Sequence, residues 1–211
     1  PDVFFFHSLL PFNKRSSYKR FGNIMHETKT KAFLFESFNY LKSNYDEKLL
    51  SYLLGFLCHH ALDRNVHPYI YHVSGFGKKK YRGNHLRIER AIDSYFITKY
   101  WDEEKPHRFK IHRLFNFEID KKVFIPFYNY ILLKVYNKNN GGKAFIKSFN
   151  NYKRYVKFIY DPMGVKKKIA KFFDKFNNSR LVFEAIFNYQ SDFLGIDYLN
   201  LNKKTWSHPV L

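Results

Sequence analysis

The sequence is poor in cysteine and has no long apolar run. Cys58 is the single cysteine among 211 residues, which excludes an intramolecular disulfide and any metal site built from cysteines alone. No stretch of about 18 uncharged apolar residues occurs, so we predict no transmembrane helix and expect contact with a membrane only at its surface. A bound metal ion would have to be held by histidines and carboxylates.

Acidic residues are also scarce, because 18 Asp and Glu stand against 37 Lys and Arg, giving a formal net charge of +19. Such a charge attracts phosphodiesters, nucleic acid and acidic lipid head groups. A lysine-rich composition shared by a whole proteome would produce the same excess. The charge alone therefore leaves the identity of the partner open.

Apolar residues, by contrast, are plentiful. They make up 45% of the chain, and the aromatic 21% includes 25 Phe and 17 Tyr, which supplies a core and excludes a disordered chain. At this length we predict one domain over residues 1–211. Because the sequence begins at Pro1 and not at Met, we expect a chain shortened at its N-terminus and leave its C-terminus open. The oligomeric state is open, and a cytoplasmic or membrane-surface location is preferred to secretion.

Apolar residues recur with the helical period along the chain, and no segment alternates with the period of a strand. From Asp46 the pattern predicts a helix that ends near Pro68, followed by a basic glycine-containing loop and a helix capped by Asn84. Further helices are predicted over residues 26–42, 121–136, 141–160, 163–176 and 179–194. The predicted fold class is an all-α, compact multi-helix bundle.

Histidines and carboxylates form an ordered series in the first 89 residues. His59 with Asp63, and His85 with Glu89, are spaced four apart, which places each pair on one face of a helix. Imidazole nitrogens and carboxylate oxygens suit zinc, and seven ligands are too many for one ion and fit two. The candidate metal ligands are Asp2, His26, His59, Asp63, His67, His85 and Glu89.

Four segments carry a resemblance to a known family: PDVFFF at the start, GNIMHE, LLGFLCHHALDRNVHPYIYH and HLRIERAID. They resemble the bacterial zinc-dependent phospholipases C, whose all-helical domain is similar to that of the single-strand-specific fungal zinc nucleases. The specific motifs cover residues 1–101, while the second half shares helical character and a late WSHP.

The resemblance implies two zinc sites, one formed by Asp2, His26, His59 and Asp63 and the other by His67, His85 and Glu89. It also implies that Asp63 bridges to a third zinc. The other family ligands of that third ion have no counterpart here, so they lie outside this piece or the third site is incomplete. Asp2 is the implied catalytic residue, acting as a ligand and as the proton acceptor for a metal-held water.

The expected function is hydrolysis of a phosphodiester by a metal-activated hydroxide, with a phospholipid head-group bond as the first choice of substrate. Asp63 and His67 are closer in sequence than in the secreted lipases of this type, which leaves the head group open. One alternative is a nuclease or phosphomonoesterase on the same scaffold, with nucleic acid ranked below lipid. Another is a non-catalytic, zinc-stabilised domain that binds anions or a membrane surface.

Several residues near these ligands have two interpretations. Tyr69, Tyr71 and Phe4 to Phe6 would line an apolar pocket for a cation or a base, or belong to the core. His7 is a ligand candidate with no family counterpart, and His60 points about 100° away from His59 on a helix.

Two basic segments are also ambiguous. Lys78, Lys79, Lys80 and Arg82 would meet phosphate at the mouth of the site, or form a solvated loop. The lysines at 166, 167, 168 and 171 are interleaved with Ile169, Phe172 and Phe173 in a basic amphipathic pattern. They predict either a helix lying on an acidic membrane or a surface helix that packs its phenylalanine face inward.

Overall fold

The structure is a computed structural model that describes residues 1–8, 18, 21–75, 81–101, 108–176 and 186–187, with the backbone alone at 81, 82 and 176. Within these residues the regular structure is helical and no strand occurs, which confirms the all-α prediction. The helices are α1 (Phe21–Glu27), α2 (Thr30–Ser43), α3 (Glu47–Ser74), α4 (Tyr81–Trp101), α5 (Lys121–Tyr136), α6 (Gly141–Ile159) and α7 (Val165–Phe176). Short 3-10 helices span Asp2–Phe6 and Ile111–Arg113.

The chain divides into two compact units. The first comprises Pro1–His59 and His112–Lys157, and the second comprises His60–Ile111 and Phe158–Leu211. The division falls inside α3, so this helix contributes residues to both units. Among the described helices, none combines the length and apolar character needed to cross a bilayer.

An aromatic core organises the first unit. Phe4, from the N-terminal 3-10 helix, is 2% exposed and packs edge-on against Phe21 of α1 and Tyr128 of α5. The hydroxyls of Tyr128 and Tyr52 are hydrogen-bonded to each other within this core. Fully burying a phenylalanine side chain contributes about 1.5–3 kcal/mol. The N-terminal 3-10 helix is therefore fixed by the same core that holds α1 and α5.

Helices α5 and α6 approach each other closely at two glycines. A Cβ at Gly142 would lie 2.5 Å from the carbonyl oxygen of Ile125, and one at Gly141 would meet the Tyr128 carbonyl. Asn129 of α5 accepts a hydrogen bond from the Gly142 N–H at 2.9 Å, which satisfies a free donor in the first turn of α6. The two glycines thus permit close packing, in addition to marking the start of α6 as the sequence predicts.

Several predicted helix boundaries were wrong. Helix α3 continues through Pro68 to Ser74, because the buried Ile70 and Ser74 keep this segment packed beyond the proline. Helix α4 begins at Tyr81, and Asn84, the predicted cap, lies within it and donates to the Ser74 carbonyl at 3.3 Å. The helix predicted over residues 26–42 is interrupted at Lys29, whose φ of 60° separates α1 from α2.

The remaining helix predictions fared better. Helices α5, α6 and α7 occupy the predicted segments, with ends shifted by two residues at most. The helix predicted over 179–194 lies outside the described residues except at 186–187.

Candidate functional site

Asp2 is positioned by the anchored 3-10 helix at the start of the chain. Two residues further on, Phe4 is buried in the core of the first unit. The following backbone is held by α6, where the Asn151 side chain donates to the Phe6 carbonyl at 2.9 Å. His7 Nδ1 lies 3.2 Å from the Ser148 hydroxyl. Core packing and these hydrogen bonds fix the direction in which the Asp2 carboxylate projects.

The Asp2 carboxylate meets two histidines from different helices. His26, near the end of α1, brings its Nε2 to 2.9 Å from Asp2 Oδ1. His59, on α3, places its Nε2 3.5 Å from Asp2 Oδ2. The two imidazole rings are nearly perpendicular, at 83°, with centroids 6.2 Å apart. We call Asp2, His26 and His59 the first ligand group.

The orientation of His26 is set by its own helix and by Phe5. Its Nδ1 donates to the Gly22 carbonyl at 2.7 Å, so in the neutral ring Nε2 carries the lone pair on the side of Asp2. The Phe5 ring stacks on the imidazole at 5.2 Å. Phe5 also lies over Gly22, where a Cβ would come within 2.5 Å of the ring. Any side chain at position 22, even a methyl group, would push the Phe5 ring out of this stack.

The charges in the first ligand group reinforce one another. Partial burial would raise the pKa of Asp2, but the hydrogen bond from His26 and the nearby His59 lower it below its ordinary value. Burial would lower the pKa of His26, but its hydrogen bonds to Asp2 and to the Gly22 carbonyl raise it. Asp2 is therefore an anion at neutral pH, and a divalent cation could replace the proton shared with His26.

A second ligand group lies in the second unit. Glu89 Oε1, on α4, is 3.0 Å from His85 Nε2 one turn earlier on the same helix. It is also 3.4 Å from Nε2 of His67, which belongs to α3. The two imidazole rings stack at 5.4 Å with an angle of 23°. We call His67, His85 and Glu89 the second ligand group.

Glu89 is strongly acidic in this arrangement. Burial opposes its ionisation, but hydrogen bonds from His67 and His85 lower the pKa of Glu89 to about 2. The hydrogen bond to Glu89 raises the pKa of His67. The Tyr71 ring contacts both histidines, with centroids 5.4 Å from His67 and 5.6 Å from His85.

Asp63 lies one turn before His67 on α3, in the second unit. The Asp63 carbonyl accepts from His67 Nδ1 at 3.1 Å, and its carboxylate Oδ1 lies 3.6 Å from the same nitrogen. This contact holds His67 with its Nε2 on the side of Glu89. The Gly22 carbonyl orients His26 in the same way. The assignment of Asp63 to the first zinc, which came from the resemblance, stays a prediction.

Both groups offer nitrogen and oxygen donors that suit zinc, at separations that an ion could bridge. In each group, one ligand atom from every residue lies within 4.8 Å of the others. Zinc bonds of about 2.0–2.2 Å at tetrahedral angles separate two ligand atoms by about 3.3–3.6 Å. The shortest separations here, 2.9 and 3.5 Å in the first group and 3.0 and 3.4 Å in the second, lie near that range.

Six of the seven predicted ligands thus fall into two groups of three. His60 and His7 belong to neither group among the described residues, and His7 is instead buried against α6. Phe4 is a core residue, not part of a pocket. Lys78, Lys79 and Lys80 lie outside the described residues, and only the backbone of Arg82 is described.

The sequence did not indicate the roles of three residues that support the first ligand group. Asn151 acts on a segment 145 residues away, and no sequence signal could have indicated that contact. The sequence predicts Phe5 as a pocket or core residue, whereas the structure stacks its ring on His26. The Gly22 carbonyl could have been found, because a histidine four residues after a glycine on a helix can donate to its carbonyl.

A family model described as "Zinc dependent phospholipase C" matches residues 1–196 of the 211-residue chain. No curated protein and no solved structure shows significant similarity to the chain.

Proposed function

The chain belongs to the zinc-dependent phospholipase C family, and from this premise we propose that it hydrolyses a phosphodiester, with the head-group bond of a phospholipid as the first substrate. The products are a phosphomonoester and an alcohol. The observation that carries the proposal is the pair of ligand groups, each with three nitrogen and oxygen donors within 4.8 Å of one another. Two zinc sites, at Asp2, His26 and His59 and at His67, His85 and Glu89, are part of the proposal.

Zinc, when bound, lowers the pKa of a coordinated water to near 7 and neutralises the charge of a phosphate. The chain's own contribution begins with Asp2, whose two carboxylate oxygens each face one histidine. Its side chain is half exposed, so a proton accepted there can pass to solvent. With its pKa lowered, Asp2 is ionised and ready to accept the proton of the attacking water.

The other ligand residues hold and orient. His26 and His67 each donate Nδ1–H to a carbonyl four residues earlier, which leaves Nε2 for the metal. Glu89 supplies negative charge between two histidines of the second group. We retain Asp63 as a further ligand of the first site and as the bridge to a third zinc.

A second candidate function is a nuclease or phosphomonoesterase on the same scaffold. The observation that favours it is the net charge of +19, which would attract a polyanion. A non-catalytic, zinc-stabilised domain is the third candidate. All three candidate functions involve bound zinc, so zinc content does not distinguish them. The substrate has to be tested directly.

The test is a side-by-side assay of the zinc-loaded chain on phosphatidylcholine and on single-stranded nucleic acid, with metal content measured by mass spectrometry. We expect head-group phosphomonoester release that stops on chelation and returns with zinc. Asp2→Asn should lower the rate by about 10³-fold, the scale of losing a principal electrostatic or proton-accepting group.

The matched control is Glu27→Gln, which removes a carboxylate next to His26 but outside both ligand groups. It should retain the native rate. Preferential cleavage of nucleic acid would favour the second candidate. Zinc bound without hydrolysis of either substrate would favour the non-catalytic domain.

A further inference from the structure

Helix α7 packs its small and polar side inward and presents its apolar side to solvent. Ala170 is 6% exposed and the carboxylate residue Asp174 is 2% exposed. On the opposite side, Val165, Ile169 and Phe173 are 50%, 53% and 58% exposed. At 100° per residue these three fall within one stripe about 80° wide. The sequence alone allowed the phenylalanine face to pack inward, and the structure has it facing outward.

Lysines accompany this apolar stripe. Lys168, Lys171 and Lys175 are exposed on one flank of α7. Lys166, near the other flank, has its Nζ 2.6 Å from the Phe158 carbonyl and 2.9 Å from the Tyr160 carbonyl. α7 carries no exposed carboxylate, since its one acid is buried. The exposed surface is therefore apolar along its centre and cationic beside it.

We propose that α7 is an interfacial helix that docks the chain onto an anionic lipid bilayer, through the stripe Val165, Ile169 and Phe173 and the flanking lysines. An apolar stripe enters the boundary between head groups and acyl chains while lysines remain at the level of the phosphates. Each lysine near such a surface adds attraction to anionic lipid. This inference concerns residues that belong to neither ligand group and stands without the proposed hydrolysis.

Other occupants fit the surface less well. A second copy of α7 would offer no exposed carboxylate to the lysines, and two chains of charge +19 repel each other. Single-stranded nucleic acid would pair with the lysines, but it has no use for exposed aliphatic side chains such as Ile169 and Val165. An acidic bilayer complements both parts of the surface at once.

The experiment is co-sedimentation of the full chain with vesicles of phosphatidylcholine alone or mixed with phosphatidylserine. All proteins carry Asp2→Asn, so that lipid is not consumed and failure of the proposed hydrolysis does not affect the result. We expect binding to mixed vesicles only. Ile169→Ser/Phe173→Ser should weaken it by about tenfold or more. Lys168→Glu/Lys171→Glu should weaken it by at least about 25-fold, because losing each lysine costs about fivefold and each glutamate is repelled by the anionic lipid.

Two control variants make comparable changes on α2, which is not part of the proposed contact. Phe35→Ser removes a 65% exposed phenylalanine from α2. Lys31→Glu/Lys42→Glu gives the same change in net charge on exposed α2 positions. Both should alter vesicle binding by less than about twofold, because the proposed contact is local to α7.

Four results would overturn the proposal. The first is equal weakening by the α2 controls, and the second is unchanged binding of Ile169→Ser/Phe173→Ser. The third is that this double variant turns a dimer into a monomer, or lowers the melting temperature, while vesicle binding stays intact. The fourth is binding of single-stranded nucleic acid that the lysine variant abolishes and the apolar variant preserves, with no affinity for vesicles.

Discussion

The two ligand groups are assembled in different ways. The first takes one residue from each of three elements, at positions 2, 26 and 59, and its carboxylate depends on an aromatic core. The second takes His85 and Glu89 from adjacent turns of α4 and adds His67 from α3. The first group therefore depends on tertiary packing. In the second group, His85 and Glu89 come together as soon as α4 forms, without tertiary contacts.

The largest effects should come from removing one histidine in either group. His26→Ala and His85→Ala should each remove about one equivalent of zinc and lower hydrolysis by about 10³-fold, because each deletes one of three protein ligands. Zinc content by mass spectrometry, with rates on the same samples, tests this. Loss of all zinc from either variant would break the distinction between the groups.

Phe4→Ala should lower the stability of the protein and affect the first ligand group more than the second. Emptying this core position should cost about 3–5 kcal/mol of unfolding free energy and weaken zinc binding at the first group, with the second retaining its ion. Urea unfolding and zinc titration measure the two effects. Phe5→Ala is the control for stability, because Phe5 is exposed and its loss removes the stack on His26 but no core contact. Equal losses of unfolding free energy in both variants would contradict the anchoring of Asp2 by the core.

Gly141→Ala should have an intermediate effect. The added methyl would push against the Tyr128 carbonyl and separate α5 from α6, at a cost of about 1–3 kcal/mol. Gly55→Ala, on α3 with no atom within 4 Å of the added Cβ, should instead stabilise by about 0.5–1 kcal/mol. Thermal unfolding compares the two. A stabilised Gly141→Ala would show that the close approach is dispensable to the scaffold of the first group.

His7→Asn should have the smallest effect, which the pH dependence of unfolding isolates from the loss of the His7 hydrogen bonds. Burial lowers the pKa of His7 below its ordinary value. The hydrogen bond to the Ala144 carbonyl opposes this shift, and the positive charge of Lys147 adds to it. The unfolded chain then takes up the proton first, so stability is full above pH of about 6.5 and falls as the pH drops toward the lower folded pKa. Urea unfolding of the zinc-free native and variant chains between about pH 7 and 5.5 should show a shallower slope for the variant. Parallel slopes would remove His7 as a source of acid sensitivity.

The contrast between the two ligand groups also explains how much of the candidate site could be predicted from the sequence. The pairing of His85 with Glu89 follows from helical spacing, and the structure has them in contact. Nothing in the spacing connects Asp2 with His59, and only the resemblance to a family brought them together, because that contact depends on how a core packs.

Helix boundaries and helix faces show the same limit. The pattern gave α5 correctly, but it ended α3 at Pro68, where packing around Ile70 carries the helix onward. It also could not decide which side of α7 faces solvent. A helical period fixes which residues share a face, whereas the neighbouring elements decide which face is covered.

Phe4 is buried two residues after the proposed ligand Asp2, which couples the metal affinity of the first ligand group to folding. Because Asp2 reaches His26 and His59 only while Phe4 is seated, an ion bound there stabilises the α5–α6 pair against unfolding. By the same linkage, every kcal/mol removed from that core lowers the occupancy of the first group at limiting zinc. At the proposed zinc site of the first unit, the affinity for the ion would then depend in part on Phe4, a residue outside the ligand group.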